Sequence, residues 1–406
     1  MKLLQKLIVL TLSIFFFIGC STKEITLQQS KKENLSLDVG LYYYVPRLDQ
    51  FKQTIQKQWN EKYPHVTLNF QDWWRGGYDN EPTSLDVFVF DAAYLDDYIH
   101  KGYLLALKQN EIHDFDDLLS YAKEGVKKEG EDKYFGIPQI GCGTLLFYRK
   151  NDSELKKAKT LSSITNTLGQ CTYQSIIPPK GLGLMMDFSS KTTNGDYYLE
   201  ATQDIYGKYT NNPPKAPSTK LLDPWPINNI SLLRQNTSLK HATNADINRP
   251  EKFSQGYGRA YVGYSESMSS LNQKTRDEIE FKYLPFSDNN NVHLFYSDIA
   301  GINPKVMNKN MQFYAIELLN MLTSTKTFVE ATSGTKQHPV AQYLLPVRHQ
   351  TFKELSKEYP LYNKLYDLIQ DNDPKLFRIG VGANQWLEDN KESISSQIFE
   401  YNQCLK

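Results

Sequence analysis

The chain has 406 residues, 40% of them hydrophobic, with Lys+Arg and Asp+Glu both at 46. That length suits two domains of ordinary size rather than one small core. The balanced charge excludes the basic field that nucleic acid requires, and its interspersion is that of a globular protein.

The N-terminus is a processing segment. Lys2 and Lys6 precede an apolar run from Leu7 to Ile18, short for a membrane span but of the length of a signal-peptide core. Gly19 and Cys20 close it. A small residue before Cys resembles a bacterial lipoprotein signal, which implies removal of residues 1–19 and lipid on Cys20. An ordinary secretory signal with an incidental Cys20 is the other reading. Lipid on Cys20 tethers the protein to a membrane, at the cell envelope or outside the cell. Residues 20–35 are polar and form a flexible spacer.

Beyond the spacer, Leu35 to Pro46 begins with a strand. Leu48, Phe51, Ile55 and Trp59 recur at helical spacing, which predicts a helix from Leu48 to Tyr63. His65 to Phe70 alternates as a second strand. Val87 to Phe90 is a strand of the buried type, followed by Asp91 and a helix. Asp91 there is a helix N-cap, a cleft residue at a strand end, or both. Thr144 to Arg149 is a further strand, and Asp152 to Asn166 is charged, then helical. Lys208 to Pro226 is rich in Pro and Asn and reads as a long surface loop. Strands follow at Ala260 to Tyr264, in FKYLPF and in HLFYSDIAGIN, then a helix from Met311 to Met321. The order argues an α/β fold with its ligand edge at strand ends.

Three segments carry chemistry. GIPQIGCGTLLFYRK sets Cys142 between a Gly-containing turn and an apolar strand, VGYSESM places Glu266 at a strand end, and HLFYSDIAG places Asp298. A thiol that can be deprotonated, with carboxylates to move its proton, points to nucleophilic catalysis. The chain has four cysteines; with Cys20 lipidated, an odd number remains, so at least one thiol is free. Cys171 has no acid or base near it in sequence and Cys404 lies near the C-terminus, which leaves Cys142. The seven histidines are scattered, and no His/Cys spacing suits a metal. Tyr 27 and Phe 20 are high counts that fill a core or line a cleft for a flat or cationic ligand.

A lipid-type N-terminus ahead of an α/β lobe, a crossing, a second lobe and a crossing back resembles the type II periplasmic solute-binding proteins. That likeness implies a two-lobed fold with an interlobe cleft. The lobes divide as 36–143, 144–296, 297–345 and 346–406, the first and third in lobe I, the second and the C-terminal helices in lobe II. The crossings then fall near Cys142 and Tyr296.

More specifically, LYYYVPRLDQF, LDVFVFDAAYL, KGYLLAL, GIPQIGCGTLLFYRK, SQGYGRAYVGYSESM, LFYSD and QYLLPVRHQ together resemble thiaminase type I (thiamine pyridinylase), in order from about residue 37 to about 390. The resemblance implies a transferase that cleaves thiamine and passes its pyrimidinylmethyl group to an amine or thiol. It implies Cys142 as nucleophile and Glu266 as catalytic acid–base. It implies substrate contacts at Asp91, Asp298, Tyr42, Tyr44, Tyr264 and Tyr296. No cofactor or metal is implied, and a monomer is expected. The chain departs from the family at Gly141, Gly143 and Thr144 and in the Trp74 to Tyr78 loop. A non-catalytic lipoprotein delivering thiamine or a pyrimidine to a transporter is the competing reading, although such a carrier has no need of both Cys142 and Glu266.

Overall fold

The structure is a computed structural model that describes residues 35–400 apart from 44, 74–80, 129, 170–172, 208–221, 290–291 and 306–307. The signal segment, Cys20, Tyr44, the Trp74 to Tyr78 loop, Cys171 and Cys404 lie outside those residues.

In chain order the strands are β1 (Leu35–Gly40), β2 (Val66–Gln71), β3 (Val87–Asp91), β4 (Ile137–Cys142), β5 (Leu145–Arg149), β6 (Lys180–Met185), β7 (Gly258–Gly263), β8 (Ile279–Tyr283), β9 (Leu294–Ile302) and β10 (Lys375–Leu376). They form a six-stranded sheet ordered β10-β9-β3-β1-β2, with β4 also on β9, and a four-stranded sheet ordered β6-β7-β5-β8. β1 runs parallel to β2 and β3, while β9 is antiparallel to β3 and β4. β3 is apolar from Val87 to Phe90 because both faces of the sheet are covered, and all four side chains are fully buried.

The first helix, Leu48–Lys62, buries Phe51, Ile55 and Trp59, which a spacing of four places on one face. The Trp59 indole N–H donates to the Val66 carbonyl at 2.8 Å, tying helix to sheet. Asp91 ends β3 and caps the next turn, its carboxylate accepting from the Ala93 N–H at 2.8 Å.

β4 leaves the first sheet at Cys142 and β5 opens the second at Leu145, so Gly143 and Thr144 make one crossing. The return runs between Tyr283 and Leu294, close to Tyr296. Residues 346–406 do not go together to the second lobe as expected. Helices His349–Ser356 and Leu361–Asn372 pack beside Thr325–Thr332 of the first lobe, burying Phe352, Leu355, Tyr362 and Leu365, and β10 joins the first sheet. Ala383–Glu400 packs on the second-lobe helices Lys191–Tyr206 and Pro224–Gln235 and also meets the first-lobe turn Ala92–Tyr94. The second of these helices starts inside the expected Lys208 to Pro226 loop. Pro224 suits a first helical position, and the Asp223 carboxylate accepts from the Trp225 N–H at 2.9 Å.

Candidate active site

Ladder register brings the chemistry together. β3 and β9 set Asp91 directly opposite Asp298, and β4 and β9 set Cys142 opposite Tyr296. Paired residues in an antiparallel ladder have Cα atoms about 4.5–5.5 Å apart. Like charges opposite one another weaken a sheet, so the Asp91–Asp298 pair runs against the sheet's own stability. From the second sheet, β7 ends at Gly263 and delivers Tyr264, then Glu266 in the 3-10 turn Ser265–Ser270.

Cys142, Asp91, Asp298, Glu266, Tyr42 and Tyr264 are each only partly exposed. Burial, then Glu266, Asp298, Asp91 and Glu200, push the Cys142 thiol well above its usual range. Burial raises Glu266 to about 7, with its own backbone N–H and Ser265 partly offsetting the shift. Burial raises Asp91 to about 6 against hydrogen bonds from the Ala93 N–H and the Tyr42 hydroxyl. Asp298 rises through burial, Asp91 and Glu266. Burial disfavours the charged form of every one of these groups, and the carboxylates reinforce one another. Carboxylates held near neutrality can take and give protons at physiological pH.

The aromatic wall has a defined geometry. Tyr264 and Tyr296 meet edge to face at 5.8 Å, and Tyr296 lies 4.6 Å from the Phe377 ring. A Cβ on Gly141 would lie 1.9 Å from a Phe295 ring carbon, so only glycine lets β4 approach that ring. The backbone of Gly141 also pairs both ways with Leu345, at 2.9 and 2.8 Å. The glycine departures beside Cys142 are therefore packing requirements of this chain.

Two further acids at this site escaped the sequence reading. Asp196 and Glu200 stand four apart on helix Lys191–Tyr206, hence on one face. Glu200 is buried and accepts from the Thr144 hydroxyl at 2.6 Å and from the Tyr296 hydroxyl. Burial raises it to about 7. Burial, then Asp91 and Glu200, raise Asp196 well above the carboxylate range. The available signal was a pair of acids one turn apart among Tyr197, Tyr198, Leu199 and Ala201, all buried.

The arrangement gathers a thiol, acids and phenols whose charges act on one another. It can deprotonate a nucleophile, hold a cation, and hydrogen-bond an amino-substituted ring.

Residues 143–287 match the thiaminase-1 domain family. Thiaminase-1 of Paenibacillus thiaminolyticus is 32% identical over 370 residues, covering 90% of this chain and 88% of that protein. The structure of Clostridium botulinum thiaminase I in complex with thiamin superposes with a TM-score of 0.83 at 34% identity, over 89% of this chain and 100% of that one. The GacH receptor of Streptomyces glaucescens, 14% identical over 91% of this chain and 94% of its own with a TM-score of 0.63, shows the type II periplasmic-binding fold alone.

Proposed function

This chain belongs to the thiaminase I family, thiamine-cleaving base-exchange transferases, and from that premise we propose that Cys142 is its nucleophile and Glu266 the base. The observation that carries the assignment is the strand register that sets the partly buried Cys142 at the end of β4, opposite Tyr296 and one strand from the Asp91–Asp298 pair, with the Glu266 carboxylate among the charges that act on its thiol.

Thiamine brings a thiazolium cation and an aminopyrimidine. The acids attract the cation, and the Tyr264 and Tyr296 rings offer it π faces. Asp91 and Asp298 accept from the amino group and ring N–H donors of the pyrimidine. Glu266 takes the Cys142 proton, and the sulfur bonds to an electron-poor pyrimidine carbon. The bond from the methylene to the thiazolium nitrogen breaks, and its electron pair leaves with the neutral thiazole. An amine or thiol then bonds to the exocyclic methylene and loses its proton. The carbon–sulfur bond breaks and Cys142 is restored. Each turnover releases one proton and consumes no oxidant or reductant. A free thiol is only a few per cent ionised at neutral pH, so the adjacent base matters.

Export with lipid on Cys20, placing a monomeric enzyme at the cell envelope, belongs to the same reading; the Lys2 to Cys20 pattern supports the anchor. The test uses a soluble form beginning at Ser21, mixed with thiamine and an aromatic amine, with free thiazole followed over time. Thiazole release abolished in Cys142→Ser supports the assignment. Undiminished release in that variant overturns it.

A further inference from the structure

Resting on the reading of Cys142 as nucleophile, we propose that Glu200 is a positioning residue for that reaction: its carboxylate anchors the segments on both sides of the thiol. One carboxylate oxygen, Oε1, accepts from two hydroxyls. The Thr144 hydroxyl donates to it at 2.6 Å, and the Tyr296 hydroxyl donates to the same oxygen. Thr144 stands two residues after Cys142, in the crossing between the lobes. Tyr296 is the residue opposite Cys142 in the β4–β9 ladder. The thiol therefore lies between two tethers that end on one atom.

All three of these side chains are buried. Glu200 stands on helix Lys191–Tyr206 of the second lobe, which packs on Pro224–Gln235 and Ala383–Glu400, whereas Tyr296 belongs to the first sheet. The two bonds thus join a packed second-lobe helix to the first-lobe strand beside the thiol. The crossing is held from another side as well, because the Leu284 N–H donates to the Thr144 carbonyl at 3.0 Å. Tyr296 passes the constraint on. Its ring meets Tyr264 edge to face at 5.8 Å, and Tyr264 stands two residues before Glu266. Glu200 in this way ties together the segments that carry the nucleophile and the proposed base.

An acid suits the task. An ionised carboxylate only accepts, so it holds two hydroxyls without adding a donor that needs a partner of its own. Hydrogen bonds to an ionised acceptor are also shorter and stronger than neutral ones. With its proton held by Glu200, the Tyr296 hydroxyl is fixed and the ring is left to face a cation. Burial opposes the charge and raises Glu200 to about 7, a cost that packing alone does not call for. Accurate placement does repay it, since a displacement of about 1 Å can slow a reaction about a hundred-fold.

Two substitutions separate position from charge. Glu200→Ala removes the charge and both bonds. Glu200→Gln removes the charge but keeps an oxygen that can accept from both hydroxyls. Each is compared with the unaltered enzyme in thiazole release with thiamine and an aromatic amine, in thiamine Kd by calorimetry, and in thermal midpoint. We expect kcat lower by about ten- to a hundred-fold in Glu200→Ala and within about three-fold of the parent in Glu200→Gln, with any change in Kd shared by the two. Equal losses of kcat in both variants would make Glu200 a charge and not an anchor, and would overturn the proposal. So would a folded Glu200→Ala with parental kcat. Should Glu200→Ala lose its cooperative melting, Thr144→Val reads the other tether: kcat about ten-fold lower at unchanged Kd sustains the proposal, and parental kcat overturns it. These outcomes leave the functional reading standing as long as the parent turns over. A parent that releases no thiazole sinks that reading, and this proposal with it.

Discussion

At the scale of single residues, the proposed base Glu266 makes the sharpest claim. Burial sets its carboxyl near 7, so the base form grows as pH rises through that value. We expect kcat/KM to climb with pH along a limb centred near 7. In Glu266→Gln the limb should vanish, with kcat down about a hundred- to ten-thousand-fold and thiamine Kd within about three-fold. Equal losses of kcat and affinity would make Glu266 a binding group. In the proposed function Asp91 binds the pyrimidine, so Asp91→Asn should raise the thiamine Kd about ten-fold, as loss of a charge-assisted hydrogen bond does. An unchanged Kd, measured by calorimetry, would take Asp91 out of the pocket. Asp91 was legible in sequence because it closes an apolar strand. Its pairing with Asp298 was not, since antiparallel register between segments two hundred residues apart has no local signature.

Among elements, β4 and helix Lys191–Tyr206 frame the thiol. β4 depends on Gly141, where a Cβ would strike the Phe295 ring and the Tyr296 carbonyl. Gly141→Ala should therefore lower stability by about 1–3 kcal/mol, read as a shift of the denaturant midpoint. A midpoint that does not move would mean β4 and β9 have room to part. The helix contributes Asp196 and Glu200 from the second lobe. Most strands and the helix Leu48–Lys62 could be read from apolar spacing, because each has one uniform pattern. Helix Lys191–Tyr206 could not, because it is buried nearly all round and mixes acids with Tyr197, Tyr198 and Leu199. The split of the C-terminal helices was also hidden. The apolar faces of His349–Ser356 and Ala383–Glu400 say that each packs, not upon which lobe.

For the molecule as a whole, acids from both lobes act on one another and share their unfavourable charge. Asp91 comes from the first sheet, Glu266 and Glu200 from the second lobe. Their folded values, about 6, 7 and 7, lie above the unfolded carboxyl range, so the native state binds more protons there. Their contribution to stability is thus fully present below the unfolded values and is lost as pH rises toward 7. His293 acts oppositely, weakening the fold as pH falls from about 6.5 toward 4. A bound cation favours the ionised acids, so thiamine should release protons on binding and bind more tightly at pH 8 than at pH 5.5. Calorimetry in buffers of different ionisation enthalpy measures that release, and proton uptake would contradict a cation held by these acids.

The most direct measurement is a mass spectrum of the protein after incubation with a thiamine analogue bearing a leaving group on its pyrimidine carbon. We expect one pyrimidine adduct per chain, mapped to the peptide containing Cys142 and missing in Cys142→Ser. An adduct on another residue, or full labelling of the Ser variant, would contradict sulfur attack from Cys142.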